Sequence, residues 1–142
     1  MKLKTGCAVG FLILPVIVCL LISCQNDAGV EFQRYYSNGS AIYQARCQNC
    51  HGALGEGLKA LIPPLTDTAY IKANKPALAC LIKNGMKGSI GVSNRDFEGE
   101  MPGNELAPVE LAGVLTYISN SFGNKSGTVN TSQVEEDLKK CK

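Results

Sequence analysis

The chain contains no tryptophan, and only 6% of it is aromatic. A domain with so few large rings has a limited core, and a bound group or covalent cross-links must help to hold it. There is a single histidine, His51, which excludes any centre that needs two imidazoles. A surplus of one charge is also missing. Fourteen basic residues stand against 12 acidic ones; removing Lys2 and Lys4 leaves 12 against 12. No part is basic enough to argue for a nucleic-acid partner. Internal repeats are absent, and 142 residues allow one domain of ordinary size.

The hydrophobicity that is present lies unevenly. Residues 7–22 are apolar apart from Gly10 and Pro15, and Lys2 and Lys4 precede them. A positive start, an apolar stretch and a small residue at its end are the parts of a secretory signal peptide. Leu21-Ile22-Ser23-Cys24 resembles a bacterial lipobox, in which the cysteine becomes the lipidated first residue of the mature protein. On this reading residues 1–23 are a lipoprotein signal peptide and Cys24 anchors the chain to a membrane. The alternative is an uncleaved membrane helix, because the run approaches the roughly 20 residues that span a bilayer. Its shortness and Pro15 weigh against that. Either way the lysines stay inside, and the rest is exported to the periplasmic or extracytoplasmic face.

Beyond the tether expected at residues 24–36, the pattern is helical. Ser37 or Asn38 is placed to cap a helix running to about residue 48, with Ile42, Tyr43 and Ala45 on its apolar side. Gly52, Gly55 and Gly57 follow in a loop whose spacing fits no nucleotide fingerprint. Thr66 is placed to cap a short helix over 67–73. Asn74 is placed to cap another, with Pro76 in its first turn, Gly85 past its end, and Leu78, Leu81 and Ile82 as its buried face. Residues 89–100 suggest a small hairpin or loop, with Asn94-Arg95 near its turn. Pro108 opens the clearest helix, in which Leu111, Leu115 and Ile118 recur at helical spacing. Ser132-Gln133-Val134-Glu135 matches a capping box, which predicts a last helix over 133–140.

The chemistry concentrates at Cys47-Gln48-Asn49-Cys50-His51. Two cysteines three apart on a helical turn can form thioethers with both vinyl groups of one haem, and the next residue then turns its imidazole to the iron. A thioredoxin-like pair would need a strand-to-helix setting, and a zinc site would need two further ligands. With His51 alone, the sixth iron ligand is a methionine, a rarer group, or nothing. Met86 and Met101 are the methionines left after signal removal. Met101 precedes Pro102, fifty residues beyond His51 and shortly before the Pro108 helix, and a loop there can fold over the far face of a haem. Met101 is therefore preferred to Met86.

Taken together, four motifs in order resemble the class I mono-haem cytochromes c, in their bacterial lipoprotein form. They are Gly39-x-x-x-Tyr43-x-x-x-Cys47-x-x-Cys50-His51-Gly52, Pro63-Pro64-Leu65, Met101-Pro102, and Leu111-x-x-x-Leu115-x-Tyr117-Ile118. The resemblance covers residues 37–123, which it marks as the cytochrome c domain, with 124–142 as a C-terminal extension. It implies a small all-α fold in which the Gly39 and Pro108 helices cross around one covalent haem c. It also implies His51 and Met101 as iron ligands, and the Pro63 carbonyl as acceptor for the other nitrogen of His51. One departure is Ala107, where the family often has a capping serine.

Seven cysteines can then be assigned. Cys7 and Cys19 leave with the signal, Cys24 carries lipid, and Cys47 and Cys50 hold haem. Cys80 and Cys141 remain, and in an oxidising compartment a leftover pair suggests a disulfide; two independent thiols are the alternative. The function expected is single-electron transfer rather than enzymatic catalysis, between redox proteins such as a quinol-oxidising complex and a terminal oxidase. A haem enzyme or gas sensor with an open sixth position is the competing reading. A fixed subunit of a larger complex is a third.

Overall fold

The computed structural model describes residues 27–141. The signal segment and the lipidation expected at Cys24 lie outside them. The chain divides into a unit of Met1–Glu31, described only for the opening of one helix, and a unit of Phe32–Lys142 that carries the other elements. In chain order these elements are α1 (Asp27–Arg46), α2 (Gln48–His51), α3 (Thr68–Ala73), α4 (Lys75–Asn84), β1 (Gly85–Val92), β2 (Arg95–Pro102), α5 (Pro108–Ile118) and α6 (Thr131–Leu138).

The expectation of an all-α fold needs correction. Helices dominate, but β1 and β2 pair antiparallel in one hairpin that is longer than the 89–100 segment expected. Its turn is Ser93-Asn94, with φ of 54° and 56°. Two consecutive left-handed residues are the tight turn whose twist matches the flanking strands, and asparagine tolerates that conformation.

Helix boundaries shifted where a polar side chain chose a different partner. Residues 27–36, expected as tether, are helical, and α1 does not start at Ser37 or Asn38. The Ser37 hydroxyl instead donates back to the Gln33 carbonyl at 2.6 Å, a bond made inside a helix. Ala45, expected on the apolar side, is exposed, while Tyr43 is buried and Ile42 half-buried. Asp67 rather than Thr66 caps α3, its Oδ1 accepting from the Tyr70 amide at 2.9 Å. The Asn74 side chain does not cap α4; its Nδ2 donates to the Tyr70 carbonyl at 2.9 Å. Asn130 caps α6 through the Gln133 amide at 2.9 Å, so that helix begins two residues before the one expected. At α5 the Ala107 amide donates to the Glu110 carboxylate at 2.8 Å, which replaces the missing side-chain cap.

α5 is the centre of the molecule. All residues from 111 to 116 are buried. α1 crosses it where Gly39 meets Gly113: a Cβ on Gly39 would fall on the Gly113 carbonyl, so the two backbones touch only because neither carries a side chain. Beside the crossing, the Tyr43 ring lies 5.3 Å from Tyr117 and 5.2 Å from Phe122, in the tilted geometry aromatic pairs favour.

The C-terminal segment belongs to this core. α6 packs on α4 and α5 and buries Val134, and Val129 is buried before it. Buried Thr116 bonds Val129 twice, donating to its carbonyl at 3.0 Å and accepting from its amide at 2.9 Å. Cys80 and Cys141 are bridged, with Cα atoms 5.5 Å apart and a separation of 61 positions in sequence. Closing a loop of that length constrains the unfolded chain by about 4 kcal/mol in the chain-entropy picture.

Candidate haem site

The Cys-x-x-Cys-His segment sits where α1 stops. The Cys47 amide still bonds the Tyr43 carbonyl at 2.9 Å, and the chain then makes one tight turn, with the Cys50 and His51 amides both donating to the Cys47 carbonyl at 3.1 and 2.9 Å. That turn brings Cys47, Cys50 and the following imidazole to one cavity wall. Both cysteines are unbridged; Cys47 is half-buried and Cys50 exposed. Gly52 ends the helix, and its carbonyl accepts the Tyr43 hydroxyl at 2.6 Å. The buried Tyr43 thus ties the end of the motif back to the helix that precedes it.

His51 is aimed by the loop that follows. Its Nδ1 donates to the Pro63 carbonyl at 3.3 Å. A proton held there leaves Nε2 unprotonated and free to donate its lone pair, the arrangement a metal-ligating histidine requires. Burial lowers the His51 pKa, outweighing the Pro63 bond, which acts to raise it. The ring is therefore neutral at neutral pH, the form that binds iron. Burial likewise raises the Cys47 pKa and keeps it a thiol. It also raises that of Tyr43, so its hydroxyl remains a donor.

One face of the hairpin makes another wall. Side chains alternate along a strand, and the register pairs Met86 with Met101, Gly88 with Gly99 and Ile90 with Phe97. All six line the same cavity as His51. Leu78 and Ile82 of α4 and Val114 and Ile118 of α5 complete it. The empty space, open mouth included, is about 1120 Å³. At its tip the hairpin is clasped by Asp67, whose Oδ2 accepts from the Ser93 amide at 2.8 Å and its hydroxyl at 3.0 Å. Arg95 donates to the Lys59 carbonyl at 3.2 Å. At its base the Asn104 amide bonds the Ile82 carbonyl at 2.9 Å.

These residues fit a covalently held haem. The cavity is lined almost wholly by apolar side chains, it has two free thiols and one neutral imidazole on its wall, and its hairpin side carries a bare glycine pair. A Cβ on Gly88 would meet nothing within 4 Å, so the wall is left flat and open there. A zinc site is not formed: among the described residues no three His, Cys, Asp or Glu side chains gather to hold a metal ion.

Cys47, Cys50, His51, Pro63 and Met101 are all brought to this cavity, and Cys80 and Cys141 lie elsewhere, joined to each other. The preference for Met101 over Met86 is not decided by position, because both line the wall and both are half-buried. Two residues escaped the sequence reading. Asp67 was passed over as part of a helix, although an Asp before an apolar turn is a cap signal. Asn124 is placed by the sequence only at the start of the C-terminal extension. It is buried, and its Nδ2 donates to the carbonyls of Leu65 and Ile118, both at 2.9 Å, joining the proline loop to the end of α5. No sequence signal pointed to that role.

Compared with known families, residues 36–122 match the family model described as Cytochrome c, more than half of the chain. No curated protein matches it.

Proposed function

Because the chain belongs to the cytochrome c family and so carries covalent haem c with its iron, we propose that it is a membrane-tethered carrier passing single electrons between respiratory redox proteins, with Met101 as the sixth iron ligand. Haem-based electron transfer follows from the family. The observation that supports the finer reading is the pairing of walls: the His51 imidazole and the hairpin methionines line one apolar cavity.

When bound, haem c supplies one-electron storage at its iron. The residues around it do the rest. The Cys47 and Cys50 sulfurs would hold the group as thioethers and prevent its loss. His51 Nε2 would donate to the iron, its ring kept in orientation by the Pro63 carbonyl. The Met101 thioether, on the hairpin wall of the same cavity, would be the second protein ligand, and a thioether there would raise the reduction potential relative to a second imidazole. The apolar lining would keep water from the bound group, which would further disfavour its more highly charged oxidised form. Ligands from both walls would leave no place for a substrate at the iron, which supports reading the protein as a carrier rather than an enzyme.

A tether through Cys24 would confine the carrier to the outer face of a membrane, between a quinol-oxidising complex and a terminal oxidase. The lipobox-like Leu21-Ile22-Ser23-Cys24 supports this, and the Cys80–Cys141 bridge is consistent with an oxidising compartment. Among the described residues no helix is long and apolar enough to cross a membrane.

Two measurements test this reading. The ferric protein should show a methionine–iron charge-transfer band, and the reduced protein should not bind carbon monoxide at neutral pH; ready binding would favour an open-site enzyme or gas sensor. Mass analysis of the membrane fraction should find the mature chain beginning at a lipidated Cys24, and pull-down from solubilised membranes should identify its redox partners.

A further inference from the structure

The hairpin brings a second thioether to the wall that carries Met101. Met86 and Met101 are direct partners in the antiparallel register. Their side chains therefore leave the same face of the sheet, with Cβ atoms about 5 Å apart. Both are half-buried, and both line the cavity that receives the haem. The next pair along that face is Gly88 with Gly99, which places no side chain beside them. Behind them, on the opposite face of the sheet, Lys87 and Glu100 form an exposed ion pair at 3.0 Å across the two strands, in keeping with the same register.

We propose that Met86 is a reserve axial ligand, whose thioether takes the sixth iron position when that of Met101 leaves it. The proposal rests on the assignment of Met101 as the resident ligand. The exchange is balanced: one iron–sulfur bond to a neutral thioether breaks and an equivalent one forms, with no electron or proton transferred and no co-reactant required. A methionine side chain is unbranched and has three rotatable bonds, enough reach to cover the separation of the two Cβ positions. The backbone need not move, because the hairpin is fastened at its tip by Asp67 and at its base by the Asn104–Ile82 bond. A chain with one methionine on this wall would open its iron to small ligands whenever that bond broke; here a second sulfur from the same wall competes for the position.

The test compares the full-length holoprotein with Met101→Leu, Met86→Leu and the double variant; leucine is chosen because it conserves volume. Each is examined for the ferric methionine–iron band and for carbon monoxide binding after reduction. The proposal expects Met101→Leu to keep at least half of the band intensity, at a shifted wavelength, and to stay closed to carbon monoxide. It expects Met86→Leu to match the wild type, and the double variant to lose the band and bind carbon monoxide. Loss of the band in Met101→Leu as complete as in the double variant overturns the proposal and leaves the Met101 assignment standing. Loss in Met86→Leu alone, with Met101→Leu unchanged, overturns both. A wild-type protein without the band and open to carbon monoxide overturns methionine ligation altogether. Should the double variant fail to accumulate, the band and methyl proton resonances of reduced Met101→Leu decide the matter, since an axial methionine methyl is strongly shifted by the haem ring current.

Discussion

The two walls of the haem cavity are built in different ways. On the histidine side the functional atoms come from five consecutive residues, Cys47 to His51, and one turn of backbone brings all three to the wall, with the Pro63 carbonyl orienting the imidazole. On the methionine side they come from opposite strands of a hairpin whose place is set from outside: by Asp67 at its tip, and by α4 at its base, which is itself cross-linked to the C-terminus through Cys80. The first wall is local and its chemistry has no substitute. The second is assembled by long-range contacts, and its parts can fail one at a time.

The largest effect should come from the local wall. Replacing Cys47 and Cys50 together with alanine should abolish covalent haem, read as loss of haem staining on a denaturing gel. Persistent staining would show that the two walls are not divided as described. Next is the bridge. Cys80→Ser should lower stability by up to about 4 kcal/mol, the constraint expected for a loop of this length. Thermal unfolding should show the loss, while haem attachment survives.

The Asp67 clasp is smaller. Asp67→Ala removes the α3 cap and both bonds to Ser93, which should cost about 1–2 kcal/mol and speed amide exchange at the hairpin tip. The bonds from Tyr70 and then Ser93 lower the Asp67 pKa in the folded protein, although slight burial opposes them. Its contribution is therefore complete above the unfolded carboxylate value of about 3.9 and fades as pH falls through the lower folded value. The stability difference between wild type and Asp67→Ala should shrink in that acid window and stay constant from mild acid to neutrality. Smallest of all is Lys87→Ala. The Lys87–Glu100 pair is well exposed, and its loss should change stability by less than about 0.5 kcal/mol. A larger change in the unfolding midpoint would show that hairpin register is held more locally than the clasp and the base bond imply.

The same division explains what could be read beforehand. The attachment motif, the Pro108 helix and the α4 boundaries were legible because each depends on neighbours within a turn or two. The caps at Asp67 and Asn130 were misplaced by a residue or two because adjacent polar residues compete for the same amides, and packing selects the winner. The hairpin was only half visible. Four glycines, at 85, 88, 91 and 99, dilute the alternation that marks a strand; Gly88 and Gly99 leave the cavity wall bare and Gly85 takes a positive φ at the helix-to-strand junction, while nothing in the structure explains Gly91.

By itself the sequence supplied the attachment motif, since two cysteines and the adjacent imidazole at this spacing need only one helical turn to face one haem. The lone histidine likewise excluded a second imidazole on the iron. Only the tertiary structure decided that Cys80 reaches Cys141, that the Pro63 carbonyl meets the His51 ring, and that Met86 stands beside Met101. Those relations join residues 12 to 61 positions apart. No backbone periodicity links such positions; packing and strand register do.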